Sequence, residues 1–110
     1  MIAVTFTYHR TTQPYYGLVD SGAQRTLCST AIAEEAGIEL SQFPIRRVRG
    51  VGGLLSAHFC PMDLTILGQR IPLEILVVDT EILVLGRHDV FRAFQFGFDE
   101  LAQLLLVEPY

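Results

Sequence analysis

Apolar and polar positions alternate in short runs along most of this chain, and few stretches repeat at the 3.6-residue spacing of a helix. Ile2 to Tyr8 alternates β-branched and aromatic residues with polar ones, which predicts a strand. A loop at Thr11 to Pro14 follows, and Tyr15 to Val19 predicts a second strand. Ser29 is placed to cap a short helix reaching Glu35, with Ile32 and Ala36 on one face and Gly37 as its left-handed stop. Beyond Pro44, Ile45 to Val51 reads as extended, and Gly50, Gly52 and Gly53 make a turn. Leu54 to Leu67 returns as a long strand, with Pro61 marking a bend or a sheet edge. Gly68-Gln69 predicts a tight hairpin into Ile71 to Val78. Ile82 to Leu85 predicts a further strand, and His88 to Phe94 one or two helical turns. Gln95 to Phe98 and Leu104 to Val107 then pair around an acidic turn at Asp99-Glu100. The sum is mainly β with one or two short helices, in a compact barrel-like arrangement. With no repeat, linker or low-complexity tract, residues 1–110 read as a single domain.

Composition narrows the picture. Half of the 110 residues are apolar, enough for one modest core. The longest apolar runs, such as Ile75 to Val78 and Leu104 to Val107, fall far short of the ~20 residues a membrane span needs. No basic-then-apolar leader precedes the first strand, so the expectation is a cytoplasmic chain with no membrane partner. The net charge of −4 argues against nucleic acid as a partner. All eight basic residues are arginine, and the cluster Arg46, Arg47 and Arg49 reads as a solvated strand edge rather than a phosphate site. Cys28 and Cys60 read as buried free thiols. Together with His58 they lack the spacing of a zinc site, so no metal and no cofactor are expected. Phe91, Phe94, Phe96 and Phe98 read as core, and His88 carries no assigned role.

The chemistry concentrates in Gly17-Leu-Val-Asp-Ser-Gly-Ala23, where an apolar strand ends on a carboxylate and turns on small residues. Asp20 has two readings: an Asx turn that satisfies its own backbone, or a group placed for catalysis. Ser21 as a serine nucleophile is the poorer reading, because no G-x-S-x-G elbow surrounds it. Two further segments bear on the choice. About thirty residues on comes the glycine-rich hairpin Val48-Arg-Gly-Val-Gly-Gly-Leu-Leu55, and near the end Ile82-Leu-Val-Leu-Gly-Arg87 runs into a short helix.

In this order the three segments resemble the retropepsin-like aspartic proteases, over nearly the whole stretch from Thr5 to Val107. The resemblance implies the closed β-barrel of the acid protease fold. It also implies a catalytic Asp20-Ser21-Gly22, a flap built on Gly50, Val51, Gly52 and Gly53, and a strand through Leu85-Gly86-Arg87 beneath the catalytic loop. Peptide hydrolysis by water needs a base to activate the water and an acid to protonate the departing nitrogen. Two carboxylates a few ångströms apart meet both needs by sharing one proton. In this reading the Ser21 hydroxyl ties the two catalytic loops together, Gly22 lets water approach the carboxyl oxygens, and Ala23 keeps the cleft floor small. Val51, Leu54 and Leu85 are the candidates for apolar pocket walls.

Only one aspartate stands in such a triplet: Asp63, Asp79, Asp89 and Asp99 are followed by Leu, Thr, Val and Glu. The second carboxylate is therefore expected from a second copy, in a homodimer whose two-fold axis brings Asp20 to its twin. The terminal strands Ile2 to Phe6 and Leu104 to Val107 are the expected interface. Retroviral members place another aspartate two residues after the glycine, where it pairs with the arginine that follows the downstream glycine. Here that position is Gln24, so Arg87 would turn to Asp89 or to the partner subunit. The expected function is an aspartic endopeptidase acting on extended peptides or unfolded protein. The alternative is a non-catalytic peptide-binding or dimerisation module on the same scaffold.

Overall fold

The computed structural model describes the chain except residues 21, 51, 52, 88, 89, 100, 101 and 103, and gives the backbone alone for residues 50, 98, 99 and 104. Strands β1 (Ile2–Thr7), β2 (Tyr15–Val19) and β3 (Leu27–Ser29) precede helix α1 (Thr30–Glu35) and a single 3-10 turn at Leu40–Gln42. The long hairpins follow as β4 (Ile45–Gly50), β5 (Gly53–Ile66) and β6 (Gln69–Val78). Strand β7 (Val84–Leu85), helix α2 (Val90–Ala93) and the strands β8 (Phe94–Asp99) and β9 (Leu104–Pro109) complete the chain. The architecture is mainly β with two short helices, as the alternation predicts.

Seven strands form one sheet in the order β1-β2-β7-β3-β6-β5-β4. Strand β1 also pairs with β5 through Thr5↔Thr65, so the pairings that start at β1 return to it. Strands β8 and β9 form a separate two-stranded sheet, from Phe94↔Pro109 to Asp99↔Leu104. The register of the long β5–β6 hairpin explains how its residues are used. Cys60, Met62, Leu64 and Ile66 alternate on one face with Ile75 and Val77 beside them, and this face joins Phe6, Leu85 and Phe94 in the main core. Ala57, Phe59, Leu76 and Val78 point the other way into a second, smaller cluster. The four-residue apolar run Ile75 to Val78 is thus covered on both faces, which is why it does not alternate.

Helix α1 begins as expected: the Ile32 N–H donates to the Ser29 hydroxyl at 3.2 Å, and Gly37 takes φ +90° just past its end. Three expectations shift. The β5–β6 turn is centred on Leu67-Gly68 rather than Gly68-Gln69, with both residues at positive φ, 50° and 76°. A bulky residue pays to sit there, but two consecutive positive-φ residues match the strand twist at a two-residue hairpin. Strand β7 is two residues long, its ladder pairs confined to Val84 and Leu85, and Ile82 lies outside it at 59% exposure. Strand β3 has no counterpart in the alternation; it exists through its parallel pairing with β6 and its contact with β7 at Leu27↔Val84. Pro61 lies inside an unbroken β5. On one side that strand passes from β4, paired as far as His58, to β1, paired from Asp63. Pro61 falls in the gap, where a missing N–H removes no bond on that side.

Candidate active site

Asp20 follows the last residue of β2, and its position is set by β7. The parallel pair Val19↔Leu85 is extended one step by the Asp20 N–H, which donates to the Leu85 carbonyl at 3.3 Å. The chain then turns. The Gly22 N–H donates to Asp20 Oδ1 at 2.9 Å, and the Ala23 N–H donates to the Asp20 carbonyl at 3.2 Å. The first of these bonds is the Asx turn anticipated as one reading of Asp20.

The far side of the turn is locked by the segment that follows β7. The Arg87 N–H donates to the Ala23 carbonyl at 2.8 Å, and the Gly86 N–H donates to the Thr26 hydroxyl at 3.1 Å. Thr26 is fully buried, and its carbonyl accepts from the Leu76 N–H at 3.0 Å. Gly86 passes so close to the loop that a Cβ there would overlap the Arg25 backbone. Only glycine fits that crossing. The start of β2 is pinned as well: the Tyr15 hydroxyl and the Gln13 N–H each donate to the Glu35 carboxylate at 2.6 Å. These bonds hold the Glu35 carboxyl below its ordinary range and push the Tyr15 phenol above its own.

Asp20 is half-buried and lines a cleft of about 820 Å³, with Gly22 and Ala23 beside it. Leu27, Leu76 and Val84 supply an apolar wall, and Val48, Arg49 and Leu55 border the cleft from the β4–β5 hairpin. The smaller apolar cluster lies directly behind this wall, with Leu27 and Val48 packed against it. Two guanidinium groups flank its aromatic ring, Arg46 at 4.6 Å and Arg25 at 5.7 Å from the Phe59 centroid. Arg25 is also paired with Glu74 at 3.2 Å.

The cleft gathers Asp20, Gly22 and Ala23, whereas Gly50 and Gly53 pair across the hairpin end and are not among the residues that line it. Ser21, Val51 and Gly52 lie outside the described residues, as does Asp89, the suggested partner for Arg87. Two pocket assignments are corrected. Leu54 is 62% exposed and Leu55 borders the cleft instead. Leu85 is fully buried in the core and packs against the Cα side of Gly17, while Val84 lines the cleft. The reason is the same in both cases: neighbouring residues of a strand point to opposite faces, so a shift by one residue exchanges core for cleft. Gly86 and Arg87 act through their backbones, as described above. Thr26 is the residue that sequence reading missed, and no local signal marks it, because its partner is 60 positions away.

The rival sites contain little chemistry. Burial pushes the Cys28 thiol up to about 12 and the Cys60 thiol up to about 11, so both stay protonated near neutral pH and are poor nucleophiles. The His58 ring is engaged at Nδ1 with the Phe43 carbonyl at 3.0 Å. Among the described residues no group of three His, Cys, Asp or Glu side chains is arranged to hold a metal ion. No helix among them is long and apolar enough to cross a membrane.

The fold and site define a mainly β chain in which, among the described residues, one carboxylate lines a hairpin-bordered cleft. Over 91 residues, 78% of its length, the chain is 34% identical to DNA damage-inducible protein 1 of Eremothecium gossypii. It spans 19% of that protein, about a fifth of the relative it matches. No family model matches the chain.

Proposed function

We propose that the chain is a retropepsin-like aspartic endopeptidase domain, active as a homodimer in the cytoplasm. Its ring of strand pairings corresponds in this reading to the closed barrel of that fold. Asp20 and Asp20 of the partner subunit share one proton across the two-fold axis. The ionised carboxylate takes a proton from water as the oxygen attacks the scissile carbonyl carbon. The protonated carboxyl then delivers its proton to the nitrogen as the C–N bond breaks. No cofactor takes part. The substrate is an extended peptide or unfolded segment held beneath the β4–β5 hairpin through main-chain hydrogen bonds. Leu27, Val48, Leu55, Leu76 and Val84 receive its apolar side chains. The exposed Leu106 on β9, with Met1 and Tyr110 at the chain ends, offers apolar surface for the second copy.

The observation that carries this reading is the half-buried Asp20 lining a cleft, its backbone held by β7, with residues of the β4–β5 hairpin lining the same cleft. The likeness to DNA damage-inducible protein 1 supports it. The test is a peptide-library digest of wild type and Asp20→Asn at several pH values, with sedimentation over a range of concentrations. Asp20→Asn is expected to keep the circular dichroism spectrum and lose at least about 10³-fold in kcat/KM. Wild-type activity per chain should rise with concentration until the dimer saturates. An Asn variant that cuts at the wild-type rate overturns the proposal. A monomeric wild type that cuts nothing leaves the non-catalytic module in its place.

A further inference from the structure

The arginines at the cleft are not equivalent. Arg25 lines the cleft but is paired with Glu74 and lies 5.7 Å from the Phe59 ring centroid, and Arg46, outside the cleft lining, lies 4.6 Å from the same centroid. Arg49, on the edge strand β4 opposite Leu54, borders the cleft and is exposed. Among the described residues no ion pair or ring contact occupies its guanidinium. The chain as a whole carries −4, so this cationic spot is local and runs against the overall field. A guanidinium presents a rigid fork of donors that matches a carboxylate better than any other side chain of a peptide.

We propose that Arg49 is a specificity-determining residue that selects peptides bearing a glutamate or aspartate within reach of the hairpin, the rest of the bound segment being apolar. This rests on the cleft being a peptide site, as proposed above. The apolar wall of Leu27, Leu76 and Val84 receives the side chains nearest Asp20, and the acidic residue lies further out, toward β4. A carboxylate placed close to Asp20 would be repelled, so the preference is confined to positions away from the scissile bond.

The experiment uses the full chain and a fluorogenic apolar octapeptide in which each position in turn carries Glu or Gln. At the best position the Glu/Gln ratio of kcat/KM should be about two- to fivefold at low ionic strength, the range of an exposed ion pair. It should shrink toward one at about 1 M salt, because the pair is exposed. Arg49→Gln should bring the ratio to near one, and Arg49→Glu should turn it toward a lysine-bearing peptide. The same peptides are measured for binding to Asp20→Asn by fluorescence anisotropy, which reads selection without hydrolysis. Cleavage with a ratio near one at every position overturns the role of Arg49 and leaves the protease reading standing. A Glu preference that survives Arg49→Gln also overturns it. Glutamate-selective binding that Arg49→Gln abolishes, without cleavage by wild type, upholds the selection and overturns the protease reading. Neither cleavage nor binding overturns both.

Discussion

Replacing Thr26 by valine keeps the shape of the side chain and removes one oxygen from the buried crossing between the Asp20 loop and the segment after β7. That oxygen accepts the Gly86 N–H at 3.1 Å, and Thr26 is fully buried, so water does not take its place. A buried donor left without an acceptor costs about 1–3 kcal/mol. For a chain of 110 residues a loss of ~2 kcal/mol corresponds to a fall in Tm of roughly 8–12 °C. Thr26→Ser keeps the acceptor and loses one methyl group, which costs about 1 kcal/mol. The ordering wild type, Ser, Val is therefore expected in urea unfolding followed by far-ultraviolet circular dichroism. Protein concentration must be held fixed, since self-association would add to the apparent stability. A Val variant within about 0.5 kcal/mol of wild type would refute the reasoning, because ordinary surface changes fall in that range. A Ser variant as unstable as Val would refute it differently, by assigning the effect to packing of the methyl group.

Two further outcomes follow from the same framework. Gly86→Ala drives a methyl into the Arg25 backbone, which cannot move without breaking the loop, so the variant should yield little folded protein. A soluble Ala variant with wild-type spectrum would mean that the crossing is looser than described. The Glu35 carboxyl titrates below its unfolded value because Tyr15 and Gln13 donate to it. Its stabilising contribution is therefore present above the unfolded pKa of ~4.3 and lost as pH falls through the lowered folded value. Tyr15→Phe removes the larger cause, so the acid limb of a stability-against-pH curve should become shallower. An unchanged limb would show that the Tyr15–Glu35 bond does not form in solution.

Much of this fold is local and was readable as such. The period-2 run of β1, and the Ser29 cap with Gly37 after it, carry their own instructions. The misread parts share another origin. Leu67 looked like strand because it is apolar, yet it occupies a positive-φ turn position that only the register Ile66↔Gln69 imposes. Leu27-Cys-Ser29 is too short to show a period and becomes a strand because β6 and β7 lie on either side of it. The sequence points to Leu54 and Leu85 where Leu55 and Val84 line the cleft, since alternation states that neighbours face opposite ways without stating which way is inward. Thr26 lies at the extreme: its hydroxyl accepts from a residue 60 positions away and its carbonyl from one 50 positions away.

The two readings of Asp20 that its sequence left open are not competitors. The Gly22 N–H occupies Oδ1, which satisfies the turn and fixes the rotation of the carboxyl group. A carboxylate has a second oxygen beyond the one the turn occupies, and Asp20 is half-buried and lines the cleft. Gly22 serves both ends, because any side chain there would crowd the same carboxyl at 3.2 Å. The backbone of Asp20, meanwhile, is held by Leu85 in a strand that Gly86 alone allows to pass beneath the loop. A turn needed only to reverse the chain requires none of that long-range bracing. The bracing makes sense where the direction of one carboxyl oxygen has to be kept.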